Sequence, residues 1–317
     1  MTLILSGSDV AALLDAGDLL EALRSGFLSQ DETPLPGRRM RADLPGGASA
    51  TALLPGLLAG IPAYTVKINA KFPRAEPALR GVVCLHSLAD GGLLAVLDSA
   101  RLTAWRTGLA AALATDVLAR PGASTVGVVG AGAQADLVLA GLSRLRSVTR
   151  LTVTDLVPGR ASRFAERHGG AGGVLAEVVE TPADVAAASA IVVFATWSRA
   201  PLLRLADLRP GQHLTTLGVD EPGKCELAPD VLGAATVVVD QEDLARQAGV
   251  LADDGLADVR PATLAQVLAG AHPGRSGPGE ITVYAPVGLP WQDLAAAWTA
   301  YRAAVSHGRG LDVDLLA

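Results

Sequence analysis

Residues 125–145 limit what this chain can fold into more than any other stretch. A β-branched run, Thr125–Val129, passes directly into Gly130-Ala131-Gly132-Ala133-Gln134-Ala135, and a helical pattern continues to about Leu145. In isolation a Gly-x-Gly-x-x-Ala turn is a weak signal. Between a strand and a helix it is the phosphate-binding turn of a doubly wound α/β domain. Gly130 permits the tight turn, and Gly132 has no Cβ, so the backbone can approach a pyrophosphate. Ala135 is small enough for the helix to lie close to the strand. The helix start, around Ala133 and Gln134, turns free N–H groups and the positive end of the helix dipole toward an anion.

Further β-branched runs at Leu151–Thr154, Ile191–Ala195, Leu214–Leu217 and Thr236–Val239 alternate with helical stretches and predict a parallel sheet of βαβ units. Asp155 closes the second run, about 20 residues beyond the glycines, where an acid accepts hydrogen bonds from ribose hydroxyls and repels a 2′-phosphate. This predicts NAD, while Arg160, five residues on, keeps NADP open.

The first hundred residues have another character. Asp9 to Leu28 carries apolar residues at helical spacing, interrupted by Gly17 and ending near Gly26. Short runs follow at Arg41–Leu44, Ser49–Leu54, Ala63–Ile68, Gly81–Leu85 and Leu93–Leu97, and the Pro/Gly and Asp-Gly-Gly breaks between them predict an antiparallel sheet. Leu102 to Ala119 is an alanine-rich helix, Gly274 to Gly279 a flexible loop, and Trp291 to Val305 a long helix ending near Gly308.

Composition narrows the function. Of 317 residues half are hydrophobic and 18% charged, enough to bury a sizeable core. A net charge of −6 with 3% aromatics argues against nucleic acid as the main partner, which calls for a basic surface or a stacking platform. No apolar run reaches the roughly 18 residues that span a bilayer. The first residues lack a basic segment before their short apolar run, so a cytoplasmic enzyme is expected. Cys84 and Cys225 are expected to be buried apolar thiols, and no metal is expected. Of 26 basic residues only Lys67, Lys71 and Lys224 are lysines. Where arginine is the usual cation, a lysine supplies a compact ammonium with a tunable pKa.

Hydride transfer to a nicotinamide needs a positioned acid or base, and an anionic substrate needs a cation beside it. The candidates are Arg38, Arg39, Arg41, Lys67, Lys71, Arg106, Asp220 and Lys224. Asp220 follows the run Leu214–Leu217, and ligands sit at the carboxyl ends of such strands. A capping or turn aspartate is the plain alternative.

Three stretches, in this order and at these separations, resemble the ornithine cyclodeaminase/mu-crystallin family: Leu102-Thr103-Ala104-Trp105-Arg106-Thr107, Val128-Val129-Gly130-Ala131-Gly132-Ala133-Gln134-Ala135, and Gly218-Val219-Asp220-Glu221-Pro222-Gly223-Lys224-Cys225-Glu226-Leu227. The resemblance implies a Rossmann domain, residues 119–287, inserted into an α+β substrate and dimerisation domain, residues 1–118 plus 288–317. It also implies a homodimer and hydride exchange with NAD(P) at the Cα of an amino acid or its imine. On the same resemblance Lys67 lies beside the substrate carboxylate and reacting carbon, and Arg39 binds the carboxylate, with Arg38 and Arg41 as rivals. Arg106 lies near carboxylate and cofactor phosphates, and Asp220 handles the amine or the attacking water. Thr107, Thr196, Ser198 and Val219 fall on the cofactor side.

Members that cyclise ornithine hold its side-chain amine with a glutamate three residues before the proline matched by Pro55. Here that position is Ala52, and a diamine losing its charge partner is penalised by roughly 1–3 kcal/mol. Gly108, Ala78 and Pro286 are further departures. The expected activity is an NAD-dependent dehydrogenase or imine reductase for a small or apolar amino acid. Ornithine cyclodeamination and non-catalytic dinucleotide binding are the alternatives.

Overall fold

The computed structural model describes residues 1–33, 35–72, 75–221 and 223–315. Pro222, in the third matching stretch, lies outside the described residues. The chain divides into two compact units, Met1–Leu109 with Leu289–Ala317, and Ala110–Gly288.

In the first unit β1 (Thr2–Leu5), β2 (Arg38–Asp43), β3 (Ser49–Gly56), β4 (Ala63–Lys71), β5 (Leu79–Ser87), β6 (Leu93–Asp98) and a C-terminal strand (Leu311–Val313) form one sheet. Its order is Leu311–Val313, β1, β6, β5, β4, β3, β2. The pairs from β2 to β6 are antiparallel, as the turn signals predict. β1 pairs with β6 in parallel, and β1 and the C-terminal strand are too short to show an alternation in sequence. Along β4 Ala63, Thr65, Lys67 and Asn69 are buried while Tyr64, Val66 and Ile68 are not, so period two divides the strand between two faces.

Two helices, α1 (Gly7–Leu13) and α2 (Ala16–Ser29), replace the single helix expected over 9–28. The break falls at Asp15, whose carboxylate accepts from the N–H groups of Gly17 and Asp18 and so starts a new helix. α2 also continues past Gly26. Glycine is needed there for packing, because a Cβ would stand 2.3 Å from the Trp291 ring. That ring meets Phe27 edge-on at 4.9 Å and belongs to the C-terminal helix, Pro290–His307. Pro290 at its first position and Gly308 in the left-handed region at φ 60° define its ends. The helix packs on β3 and β4.

The second unit holds an eight-stranded, wholly parallel sheet. Its strands are β7 (Thr125–Val129), β8 (Arg150–Thr154), β9 (Leu175–Val178), β10 (Ile191–Phe194), β12 (His213–Thr216), β14 (Thr236–Val239), β15 (Ala262–Thr263) and β16 (Thr282–Tyr284), while β11 (Arg199–Leu203) and β13 (Cys225–Leu227) pair separately. The order β15-β14-β16-β12-β10-β7-β8-β9 is that of a doubly wound α/β sheet. The expected runs all appear. β9 and β15 leave little pattern in the sequence, because β9 is a mostly exposed edge strand and β15 has two residues. Helix α3 (Ser99–Leu118) begins in the first unit, and α4 (Ala133–Leu145) follows the glycine turn.

Two expectations need correction. Cys84 and Cys225 are free thiols but only half-buried, Cys84 because it alternates onto the less buried face of β5. The segment 274–279 is tied down, since Arg275 donates to the Leu118 carbonyl at 2.9 Å and to Thr282 Oγ1 at 2.7 Å.

The Gly26–Trp291 approach generates a stability prediction. Gly26→Ala forces the ring or the helix to move and is expected to lower unfolding free energy by about 1–3 kcal/mol. Urea denaturation followed by tryptophan fluorescence measures it.

Candidate active site

Strand register decides which basic residues of the first unit share a face. Arg39, Leu53 and Lys67 form one row across β2, β3 and β4, and Arg41, Thr51 and Asn69 the next, whereas Arg38 pairs with Leu54 on the opposite face. Arg39 is thus the rival that stands in Lys67's row, and its charge acts on Lys67. Lys67 is 1% exposed, and its Nζ donates to Asp293 Oδ1 at 2.7 Å. Arg106 Nε donates to the same oxygen at 3.3 Å, and Arg106 Nη1 to Gln292 Oε1 at 3.1 Å. Two buried cations therefore share one carboxylate. Burial, then the charges of Arg106 and Arg39, push the Lys67 pKa down to about 8 against the pull of Asp293. Asp293 Oδ2, Gln292 Nε2 and Thr107 Oγ1 are buried without a hydrogen-bond partner. A buried surplus of positive charge with uncommitted polar groups is suited to a planar carboxylate.

Asp293 was not singled out from the sequence. Its partner Lys67 is 226 residues away, and the available signal was an acid in the first turn of a helix opened by proline. Ala52 needs a correction. It pairs with Met40 and Ile68 on the face opposite Lys67, and a one-residue step along a strand reverses the side chain. The inward residue at that level is Thr51, so Ala52 carries no information about a distal amine.

In the second unit Gly130 has φ 92°, and a Cβ there would stand 2.6 Å from the Ala195 carbonyl oxygen, so only glycine fits. Gly132 is the N-cap of α4, and the space its Cβ would take is open, with nothing within 4 Å. No side chain caps α4, so the amides beginning at Ala133 and Gln134 are left for an anion. Ala135 is fully buried against the sheet. Asp155 Oδ2 accepts from the Ala131 N–H and Oδ1 from the Val157 N–H, both at 2.8 Å, so this acid braces the turn itself. Each oxygen keeps a further lone pair for a ribose hydroxyl. The open cradle, uncapped helix and placed acid fit a dinucleotide.

Thr196 and Ser198 follow β10, and Val219 and Asp220 follow β12. Glu226, fully buried, ties the two loops together. It accepts from the Thr196 N–H at 2.7 Å and Oγ1 at 2.6 Å, from Thr216 Oγ1 at 2.6 Å and from the Gly218 N–H at 2.9 Å. Burial pushes its pKa up, against those four donors. Glu226 was visible in the third stretch, but its role depends on β10 and β12 lying side by side. Ser198 Oγ donates to the Ala200 carbonyl at 2.6 Å. Asp220 Oδ1 accepts from Lys224 Nζ at 2.8 Å, and Glu221 lies 3.3 Å from the same nitrogen. Burial alone would lower the Lys224 pKa, but Asp220 and Glu221 outweigh it and raise it. Asp220 thus lies beside a permanent cation. Among the described residues no His/Cys/Asp/Glu group suits a metal, and no helix is long and apolar enough to cross a membrane.

The profile of the ornithine cyclodeaminase/mu-crystallin family matches residues 2–308. The chain belongs to this family. An alanine dehydrogenase of Archaeoglobus fulgidus is 33% identical over 239 residues, 74% of this chain and 73% of the relative. Among solved structures, an archaeal alanine dehydrogenase dimer with bound NAD superposes with a TM-score of 0.91 at 27% identity, covering 99% of both chains. The Thermococcus litoralis Δ(1)-pyrroline-2-carboxylate reductase, in complex with NADH and L-proline, gives 0.90 at 27% identity over 98% of this chain and 100% of that one. The family resemblance read from three stretches therefore extends along the chain, and the protein is an α/β enzyme related to NAD-dependent oxidoreductases.

Gly132 offers a test of the cradle. Its φ of −97° suits alanine and its Cβ space is empty, so Gly132→Ala is expected to fold, losing at most about 1 kcal/mol because alanine is a poorer N-cap than glycine. NADH affinity, followed by fluorescence titration, is expected to fall at least about tenfold as the methyl group meets the pyrophosphate.

Proposed function

We propose that this chain is an NAD-dependent amino-acid dehydrogenase or imine reductase, exchanging hydride at the Cα of an amino acid or its imine. The carrying observation is the Lys67–Asp293–Arg106 cluster, whose surplus of buried positive charge matches a substrate carboxylate. In this reading the first unit binds the substrate and the second binds NAD through the 130–135 turn, Asp155 and the loops after β10 and β12. When bound, NAD would supply the hydride acceptor for the amino acid and NADH the donor for the imine. Arg39 and Lys67 hold the carboxylate, and Arg106 completes the clamp. Asp220 takes the proton from the water that attacks the imine, or from the amine, and gives it back in reverse. Lys224 fixes the Asp220 carboxylate through their 2.8 Å contact. The two free thiols support a reducing, cytoplasmic setting.

The inward rows around Lys67 favour a substrate without a distal amine. Leu53 and Val83 flank Lys67, and Thr51 and Asn69 stand in the next row. Along these strand rows the first carboxylate is Asp43, exposed and paired with Arg41 at 2.7 Å, while Asp293 is engaged by both Lys67 and Arg106. Purified protein with NADH, ammonia and a panel of 2-oxo acids and cyclic imines is expected to oxidise NADH with a small or apolar member. Ornithine turnover to proline and ammonia without net NADH change would count for cyclodeamination instead. Asp220→Asn is expected to lower kcat/KM by at least about 10²-fold with NADH affinity nearly unchanged, measured by initial rates and fluorescence titration.

We infer further that the chain forms a homodimer through the outer face of the first unit's sheet. Met40, Ala52, Ile68 and Val82 make one outer row across β2 to β5, with Val66, Cys84 and Val96 beside it. Met40 and Ile68 are 61% and 54% exposed. A contiguous exposed apolar patch of this kind is costly unless covered by a partner. Ile68→Glu, at a position that tolerates a charge in the isolated fold, is expected to halve the mass seen by light scattering.

A further inference from the structure

The proposed substrate site contains a carboxylate that does not itself match the substrate's charge. Asp293 is 1% exposed and sits in the first turn of the C-terminal helix, which packs on β3 and β4. The helix start beside it is capped. Pro290 opens the helix, and the Leu289 N–H donates to Gln292 Oε1 at 3.3 Å, the same oxygen that receives Arg106. Asp293 uses one oxygen for both Lys67 and Arg106, and the other has no hydrogen-bond partner. It is therefore not a saturated structural ion pair, because one anion faces two cations and Lys67 retains donors beyond the one given to Asp293.

We propose that Asp293 is a positioning residue that acts through Lys67 and Arg106, keeping the Lys67 ammonium charged and fixed so that its remaining N–H groups serve the substrate carboxylate. This rests on the functional reading above. The groups acting on Lys67 are Asp293 from the C-terminal helix, Arg106 from α3 and Arg39 from β2, while its strand neighbours Leu53 and Val83 carry no charge. Of these Asp293 alone favours the protonated amine. Burial and both arginines oppose it. Without Asp293 the amine would lose its proton at lower pH and the carboxylate would lose a binding partner. The sign follows directly, because a lysine binds carboxylate below its pKa and the loss appears as the basic limb of the pH profile.

The chain has only three lysines, which makes the test direct. In protein labelled with 15N-lysine, three side-chain signals are assigned with Lys71→Arg and Lys224→Arg and titrated. The Lys67 midpoint is expected near 8 in the native chain, at least about one pH unit lower in Asp293→Asn, and between the two in Asp293→Glu. In the same variants the basic limb of kcat/KM for the active oxo acid or imine is expected to move by the same amount. KM at pH 8 should rise about tenfold and recover at pH 6, with kcat changed far less. An unmoved midpoint in Asp293→Asn overturns the inference, and so does a moved midpoint with an unmoved kinetic limb. If Asp293→Asn does not fold, Asp293→Glu decides by the same criteria. A moved midpoint in a chain inert toward every substrate in the panel supports the charge coupling and strikes the functional reading instead.

Discussion

One carboxylate shared by two buried cations governs what the first unit can do. Removing an ion from water costs several kcal/mol, and the cost is recovered only through close partners. Asp293 supplies that partner to Lys67 at 2.7 Å and to Arg106 at 3.3 Å, yet the cluster remains net positive. A folded protein tolerates such a surplus when an anion completes it. The sheet then acts as a frame, with β2 and β4 presenting Arg39 and Lys67 on one face and the C-terminal helix bringing the acid to that face.

The second unit also prepares a place for a negative ligand, by committing its own acids to the scaffold. A parallel sheet gathers the carboxyl ends of its strands along one edge, so the loops after β7, β10 and β12 become neighbours. Two acids organise that edge. Asp155 braces the glycine turn by accepting two backbone N–H groups, and Glu226 holds the loops after β10 and β12 through four donors. With these acids committed to the scaffold, the uncapped amides of α4 are left for a ligand's negative charge.

Period two separates positions in the first unit that look alike in the sequence. Arg38, Arg39 and Arg41 are equivalent in a sequence, but pairing puts Arg39 in the Lys67 row, Arg41 one row along and Arg38 on the other face. The same alternation turns Ala52 away from Lys67, a fact that spacing from a proline does not reveal. Helix boundaries followed a comparable logic. Gly17 and Gly26 looked like breaks, but the N-cap at Asp15 made the break and Gly26 answered to the Trp291 ring.

Local chemistry by itself determined the strand–glycine turn–helix, the alternating βα pattern, the antiparallel hairpins and the residues of the family motifs, because each depends on neighbours within a few positions along the chain. Only the tertiary structure decided which faces the side chains occupy and which distant groups pay for one another's burial. Lys67 and Asp293 stand 226 residues apart, and Glu226 matters only because β10 and β12 lie side by side. Pair energies of buried charges depend on distance in space, and a linear sequence does not contain that distance.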